Sequence, residues 1–450
     1  MKARCPIMQK IKNIIIGFGK GGKTLAKFLA QKDEEVLVIE KSNQMYGGTC
    51  INIACLPSKR LIIEAGNGLD FIDAIGGKNE MTSLLRSENY HMLADEKTVT
   101  VLDGEAKFVD DHIIEVKTAN GIEKYEGERI FINTGAVPVI LPIPGLKESK
   151  FLLDSTAAME QTSLPKNLII IGAGYIGLEF AAMFAKYGSN VTVLDHNSDF
   201  IPREDEDISK VVKKNLEELG IKFELGVEIE KVEDTADHAT IVYKNSAGEK
   251  KQVNGDRILA ATGRRPNTEN LDLENTNIKV NNRGAIEVNK HLETNVHNVW
   301  AIGDVKGGLQ FTYISLDDFR IIKSQLFGNG QYTLESRKNI PYSVFIDPAL
   351  SEVGLTEKEA KKQGIEYEVH KLPVAAIPKA RVSKDTRGVF KALVNPQTKQ
   401  ILGATLYGIE SYELINMISL AINQKIPATV LRDQIYTHPT MSEAFNDLFK

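Results

Sequence analysis

At 450 residues the chain is too long for one compact core, and its length predicts roughly three folding units. It is 42% hydrophobic and 26% charged, without a low-complexity tract, as expected of a globular enzyme. A net charge of -5 and a pI near 6.0 exclude a nucleic-acid partner or an anionic membrane surface, because phosphate binding needs a basic field. Met1 to Lys12 is basic but lacks the apolar core of a signal peptide, so a cytoplasmic protein is expected. The longest apolar stretch, Leu168 to Phe184, is interrupted by three glycines and Glu179, which argues against a membrane span.

In chain order, Ile14-Ile15-Ile16 predicts a strand, Gly17-Phe18-Gly19-Lys20-Gly21-Gly22 a turn, and the pattern through Leu29 a helix. Val36 to Ile39 predicts a second strand, closed by Glu40. The plan recurs with Leu168 to Ile171, Gly172-Ala173-Gly174-Tyr175-Ile176-Gly177, a helix through Lys186, and Val191 to Leu194 closed by Asp195. In both copies the acid stands 23 positions after the first glycine. This is the demanding form of the dinucleotide fingerprint. Gly17 and Gly172 permit the turn, Gly19 and Gly174 let backbone approach a pyrophosphate, and Gly22 and Gly177 let helix and strand pack closely. Each helix N-terminus then offers free N–H groups to phosphate.

Two strands ending in glycine follow, Phe131 to Thr134-Gly135 and Leu259 to Gly263, and Val299 to Gly303-Asp304 reads as a return strand completing the first sheet. Ligands gather at such strand ends, and a carboxylate like Asp304 can bind a hydroxyl there. The second unit thus reads as an insertion in the first: residues 1–154, then 155–272, then a return at 273–338. From 339 to 450 a separate α+β domain is expected, with strands at Val389 to Val394 and Ile401 to Tyr407 and a helix at Ser411 to Gln424.

Three cysteines do not make a secreted disulfide framework. Cys5 stands alone. Cys50 and Cys55 lie five positions apart at a predicted helix start, little more than one turn, where a bridge is feasible if the turn is distorted. Pro57 loosens that turn by withholding a donor from Ile53. A working disulfide, two inert thiols and a metal site are the alternatives, and no neighbouring Cys or His pair supplies further metal ligands. A metal is therefore not expected.

Gly47-Gly48-Thr49-Cys50-Ile51-Asn52-Ile53-Ala54-Cys55-Leu56-Pro57-Ser58-Lys59 resembles the active-site signature of the class I pyridine nucleotide–disulfide oxidoreductases. Ala54 stands where that family usually has glycine. The resemblance runs from Ile14 to Phe449 and implies two Rossmann-like domains, for FAD and NAD(P), with a C-terminal dimerisation domain. It implies that Glu40 binds the FAD adenosine ribose and Asp304 the ribityl chain, with Gly48, Thr49, Thr134, Gly135, Gly263, Arg264 and Gly303 also at the cofactors. Cys55 would be the flavin-side thiol and Cys50 the outer thiol that meets substrate. Lys59, paired with Glu179, would favour the reduced flavin electrostatically, and Tyr175 would cover the flavin where nicotinamide docks. His438, oriented by Glu443, would accept a proton from Cys50 of the partner chain, which makes the resemblance that of an obligate homodimer. Asp195 favours NADH over NADPH, while Arg203 nearby leaves NADPH open.

Met45-Tyr46-Gly47-Gly48-Thr49, Gly308 to Asp318 and Leu431-Arg432-Asp433-Gln434-Ile435 look like a bacterial branch linked to reactive chlorine resistance and copper(II) reduction. The expected activity is electron transfer from NADH to an oxidant, metal ion or disulfide in stress defence. Dihydrolipoamide dehydrogenase is the alternative, and a flavoprotein redox sensor without turnover is the alternative from another class.

Overall fold

The computed structural model describes residues 8–450, so Cys5 lies outside the described residues. Strand β1 (Met8–Ile16) runs into α1 (Lys20–Ala30) and β2 (Val36–Glu40). After α2 (Thr49–Asn52), α3 (Cys55–Gly66) and α4 (Phe71–Ala94) come β3 (Val99–Asp103), β4 (Glu105–Asp110), β5 (Ile113–Thr118) and β6 (Gly121–Ile132). The inner strands β1, β2 and β6 pair in parallel and are apolar and buried where they meet. Near-continuous Ile/Val/Leu runs are what a sheet covered on both faces requires. Its order is β3-β2-β1-β6-β5-β4.

Strands β7 (Ala136–Pro138) and β8 (Leu152–Leu153) and helix α5 (Ser155–Ala158) lead to the second copy. It comprises β9 (Asn167–Ile171), α6 (Tyr175–Tyr187), β10 (Asn190–Asp195), α7 (Glu206–Glu218) and β11 (Lys222–Leu225). An antiparallel meander follows, β12 (Glu228–Asp234), β13 (Ala239–Lys244) and β14 (Lys250–Gly255), then β15 (Arg257–Ala260) and β16 (Arg264–Pro266). The second sheet is ordered β11-β10-β9-β15-β8, and β16 pairs with β7 to bridge the units. The expected return strand is β17 (Val299–Ala301), which pairs in parallel with β6 and so closes the first sheet. Trp300 stacks on Phe131 at 4.9 Å across that pairing.

Helix α8 (Thr312–Phe327) then packs beside α1. The last region holds β18 (Tyr342–Val344), β19 (Leu350–Gly354), α9 (Glu357–Gln363), β20 (Glu368–Pro373) and α10 (Pro378–Val382). Strands β21 (Val389–Val394) and β22 (Ile401–Tyr407) and helices α11 (Ser411–Asn423), α12 (Ala428–Asp433) and α13 (Phe445–Leu448) complete it. Its sheet is antiparallel, β18-β19-β22-β21-β20, with the predicted hairpin in its middle. No helix among the described residues is long and apolar enough to cross a membrane.

One buried cation ties this last region to the second unit. Lys391, 2% exposed, places its ammonium 2.8 Å from Asp205, 3.0 Å from Asp207 and 2.6 Å from Glu357. The three acids converge closely enough to hold a metal ion, but the ammonium stands among them. Lys391→Met strips the cation and leaves like charges packed together, so it is expected to cost about 3–5 kcal/mol. A denaturant titration checks this, and an unchanged midpoint contradicts it.

Candidate active site

The two glycine turns are built alike. Gly17 sits at φ 101 and Gly172 at φ 106, conformations L side chains rarely adopt. A Cβ on Gly177 would approach the Gly172 carbonyl oxygen to 2.1 Å, so only glycine lets α6 come this close. In the first turn the Glu40 carboxylate accepts the Phe18 N–H at 3.0 Å, and in the second Asp195 accepts the Ala173 N–H at 2.5 Å. Each acid therefore grips the middle residue of its own G-x-G. Burial raises the Glu40 carboxyl above its usual range, although the Phe18 and Ser42 N–H groups oppose this. Asn133 was not singled out in the sequence, yet its amide accepts the Gly22 N–H at 3.0 Å and donates to the Ile302 carbonyl at 2.8 Å. It thereby fixes the first turn to the return strand.

A cavity of about 1070 Å³ opens from this first turn. Gly17, Gly19, Glu40, Gly48 and Thr49 line one part, Thr134, Gly135, Arg264 and Asp304 another, and Cys50, Cys55, Lys59, Tyr175 and Glu179 the far wall. Gly48 has φ 82 and lies against Gly19, where a Cβ would approach the Gly19 Cα to 2.7 Å. Burial raises the Asp304 carboxyl, with Arg264 and Lys306 opposing, and burial lowers the Arg264 guanidinium, with Asp304 opposing. Gly22, Gly172, Gly174, Gly177, Asp195, Gly263 and Gly303 are not among the lining residues. Gly22 and Gly303 pack against Asn133 behind the first turn. From the second turn, α6 reaches the cavity with Tyr175 and, one helical turn later, Glu179.

The cysteine segment is not the single helix its spacing predicts. Helix α2 ends at Asn52, Ile53 and Ala54 break the run, and α3 begins at Cys55. Ala54 has φ -140, so its methyl group meets no left-handed strain in place of the family's glycine. The break brings the two thiols within hydrogen-bonding reach, both as free thiols. Cys50 donates to Cys55, which lowers the Cys55 thiol against the opposing effect of burial. A 3.7 Å contact with the Thr312 hydroxyl and the charge of Lys59 lower it further. The same hydrogen bond, with burial, pushes the Cys50 thiol up. Thr312 was also missed. The only signal was its place in the run after Asp304.

Lys59 Nζ meets Glu179 Oε2 at 2.5 Å and lies 5.0 Å from the Phe345 ring, while Glu179 Oε1 accepts the Phe345 N–H at 2.8 Å. His438 Nδ1 meets Glu443 Oε2 at 2.8 Å, but neither residue lines the cavity of its own chain. The structure thus joins Lys59 to Glu179 and His438 to Glu443, and keeps the second pair away from the cysteines of the same chain.

A glycine turn, a paired dithiol and a lysine–glutamate pair on one cavity, reached by Tyr175 of a second glycine turn, define a nucleotide-dependent disulfide redox protein. Residues 11–318 match the pyridine nucleotide-disulphide oxidoreductase family and residues 340–449 its dimerisation domain, and the chain belongs to that family. It is 49% identical over 442 residues to the probable pyridine nucleotide-disulfide oxidoreductase RclA of Escherichia coli (strain K12), covering 98% of this chain and 99% of that one. It is 32% identical to a mercuric reductase of Staphylococcus aureus, covering 96% of this chain and 80% of the relative. Among solved structures it resembles the Cu(II) complex of HOCl-induced flavoprotein disulfide reductase RclA from Escherichia coli. That match has a TM-score of 0.95 and 48% identity, over 98% of this chain and 99% of that one.

In the reduced protein, Cys55 is expected to titrate below the ordinary thiol value of about 8.5. Cys50→Ala removes the donor and should raise it, and Thr312→Val should raise it less. The pH dependence of Cys55 alkylation, read by mass spectrometry, checks the order. Equal titration in all three proteins contradicts it.

Proposed function

We propose that the chain is an NADH-dependent FAD reductase. It passes electrons to a Cys50–Cys55 disulfide and on to an oxidant, copper(II) or a disulfide acceptor, as a cytoplasmic stress defence. The observation that carries this reading is the polarised thiol pair on the cavity wall, with the Lys59–Glu179 pair, in a cavity that opens from the first glycine turn and is reached by Tyr175 of the second. Likeness to an HOCl-induced reductase solved with Cu(II) supports the choice of acceptor.

The cavity residues fit FAD: a glycine turn with free N–H groups, Glu40 for ribose hydroxyls, and Asp304 and Arg264 farther along. When bound, FAD supplies the two-electron relay between NADH and the disulfide. Cys55 holds its negative charge through Cys50, Thr312 and Lys59, and Cys50 carries the proton. The partner subunit's His438, oriented by Glu443, removes that proton, and the Cys50 thiolate meets the acceptor. With copper, two Cu(II) take one electron each as the Cys55 thiolate and the Cys50 thiol return to disulfide, and the single proton of Cys50 leaves through the partner's His438.

A homodimer is part of this proposal. His438 stands exposed on the C-terminal domain, whose α11–α12 region also exposes Leu420, Val430 and Ile435, the last 91% exposed. Such an apolar patch marks an interaction surface. Asp195 Oδ1 accepts the Asn197 N–H at 2.7 Å at the end of β10, where a carboxylate suits a free 2′-hydroxyl and repels a 2′-phosphate.

Anaerobic NADH oxidation by the purified dimer, with copper(II) and with lipoamide, is the test. Copper should turn over faster, and Cys50→Ser should abolish acceptor turnover. Lipoamide preference would make the protein a dihydrolipoyl dehydrogenase. His438→Gln should slow acceptor reduction by about 10²–10⁴ without slowing the NADH-dependent half-reaction, which stopped-flow separates.

A further inference from the structure

Behind Tyr175 lies a buried polar cluster that the redox chemistry above does not use. Tyr175 Oη lies 2.7 Å from Glu204 Oε1 and 3.1 Å from Tyr342 Oη. Tyr342 Oη lies 2.9 Å from Glu204 Oε1 and 3.1 Å from Glu352 Oε1. The two rings stack at 5.5 Å and 24°. Glu204 is 0% exposed and Glu352 is 7% exposed, and Glu204 Oε2 has no partner.

Counting protons constrains this cluster. Four oxygen–oxygen contacts share only two phenolic protons, and the Thr405 hydroxyl serves the other oxygen of Glu352 at 3.2 Å. With both carboxyls ionised, two of the four contacts hold no proton and two anions face each other in the interior. The cations on the same segments are engaged elsewhere: Lys391 with Asp205, Asp207 and Glu357, and Lys358 with the Glu204 main-chain carbonyl. Arg203 and Glu206 beside the cluster are exposed. A proton on Glu352 fills a third contact and removes one charge. Burial, then the charge of Glu204, pushes the Glu352 carboxyl well above the usual carboxylate range, in agreement with the count.

We propose that Glu352 carries one proton and, through Tyr342 and Glu204, latches Tyr175 across the way from the second glycine turn to the Cys50–Cys55 cavity. Glu204, Tyr342 and Glu352 are positioning residues for nicotinamide entry. This rests on the functional reading above, since Tyr175 opens α6 at the second turn and lines the cavity. As the Glu352 proton leaves to solvent, its carboxylate and that of Glu204 repel, the Tyr342 bridge loosens and Tyr175 yields more readily to the incoming ring. The closed latch competes with nicotinamide, so it weakens apparent NADH affinity while it holds.

The test is stopped-flow reduction of the holoenzyme by NADH between about pH 5.5 and 9, the range above ordinary carboxylate titration. The apparent NADH Kd of the wild type should fall as pH rises, by about three- to tenfold, the net worth of one such hydrogen bond. Glu352→Gln keeps a donor and loses the titration, so its Kd should stay at the low-pH value throughout. Glu204→Ala removes the acceptor and should show the low Kd at every pH. Should Glu204→Ala not fold, Tyr342→Phe cuts the link to Glu352 while the direct Tyr175–Glu204 contact stays, so its Kd should no longer change with pH. A wild-type Kd flat with pH, or a Glu352→Gln profile that follows the wild type, overturns the latch. No reduction by NADH at any pH instead overturns the functional reading.

Discussion

The Lys59–Glu179 ion pair makes one site out of two nucleotide units. Lys59 rides on α3, one turn after Cys55, and Glu179 rides on α6, one turn after Tyr175. A half-buried charge pair stabilises only when its remaining hydrogen-bonding capacity is met. Here the Phe345 N–H takes the second Glu179 oxygen and the Phe345 ring lies beside the ammonium, so the C-terminal domain completes the pair. Three parts of the chain, far apart in sequence, therefore fix the position of one cation beside the thiols. The low thiol of Cys55 depends on that convergence as well as on Cys50.

The thiol pair shows why one chain is half a site. Cys50 stabilises a negative charge on Cys55 by lending its proton, and the same act makes its own proton hard to remove. A thiol pushed up in this way is a poor nucleophile at neutral pH until a base reaches it. Within the chain, the Thr312 hydroxyl and then the charge of Lys23 oppose this, and neither reverses it. The imidazole with a carboxylate behind it stands on a domain that turns an apolar face outward. On the proposed reading, dimerisation supplies the base that the chain's own electrostatics withhold.

What was legible in the sequence follows from chemistry that tolerates few substitutes. Gly17 and Gly172 announce their turns because a positive φ and a close carbonyl leave no other residue comfortable. Glu40 and Asp195 were legible by spacing, although the sequence pointed to ribose and the structure adds their grip on Phe18 and Ala173. The return strand Val299–Ala301 was legible from its apolar run and following acid. The break at Ile53–Ala54 was not, since spacing alone allows one continuous helix there. Nor was α4: Gly76 and Gly77 argue against a helix, and packing on α3 overrides their propensity. Asn133, Thr312, Glu204 and Glu352 are ordinary polar residues until the fold buries them together.

The twin turns also differ in what packs against them. At the first turn Gly48 presses on Gly19, and Asn133 fills the space beside Gly22. At the second, a Cβ on Gly174 would meet nothing within 4 Å, so the turn stays open on that side. The same backbone device, with the same acid grip, is thus packed over at its second glycine in one copy and open there in the other. On the proposed reading this suits FAD retained between turnovers and NADH that arrives and leaves with each. The asymmetry resides in what packs on the turns. On the proposed reading, one repeated motif thus serves as both a permanent seat and a transient one, with Tyr175 reaching from the second into the cavity of the first.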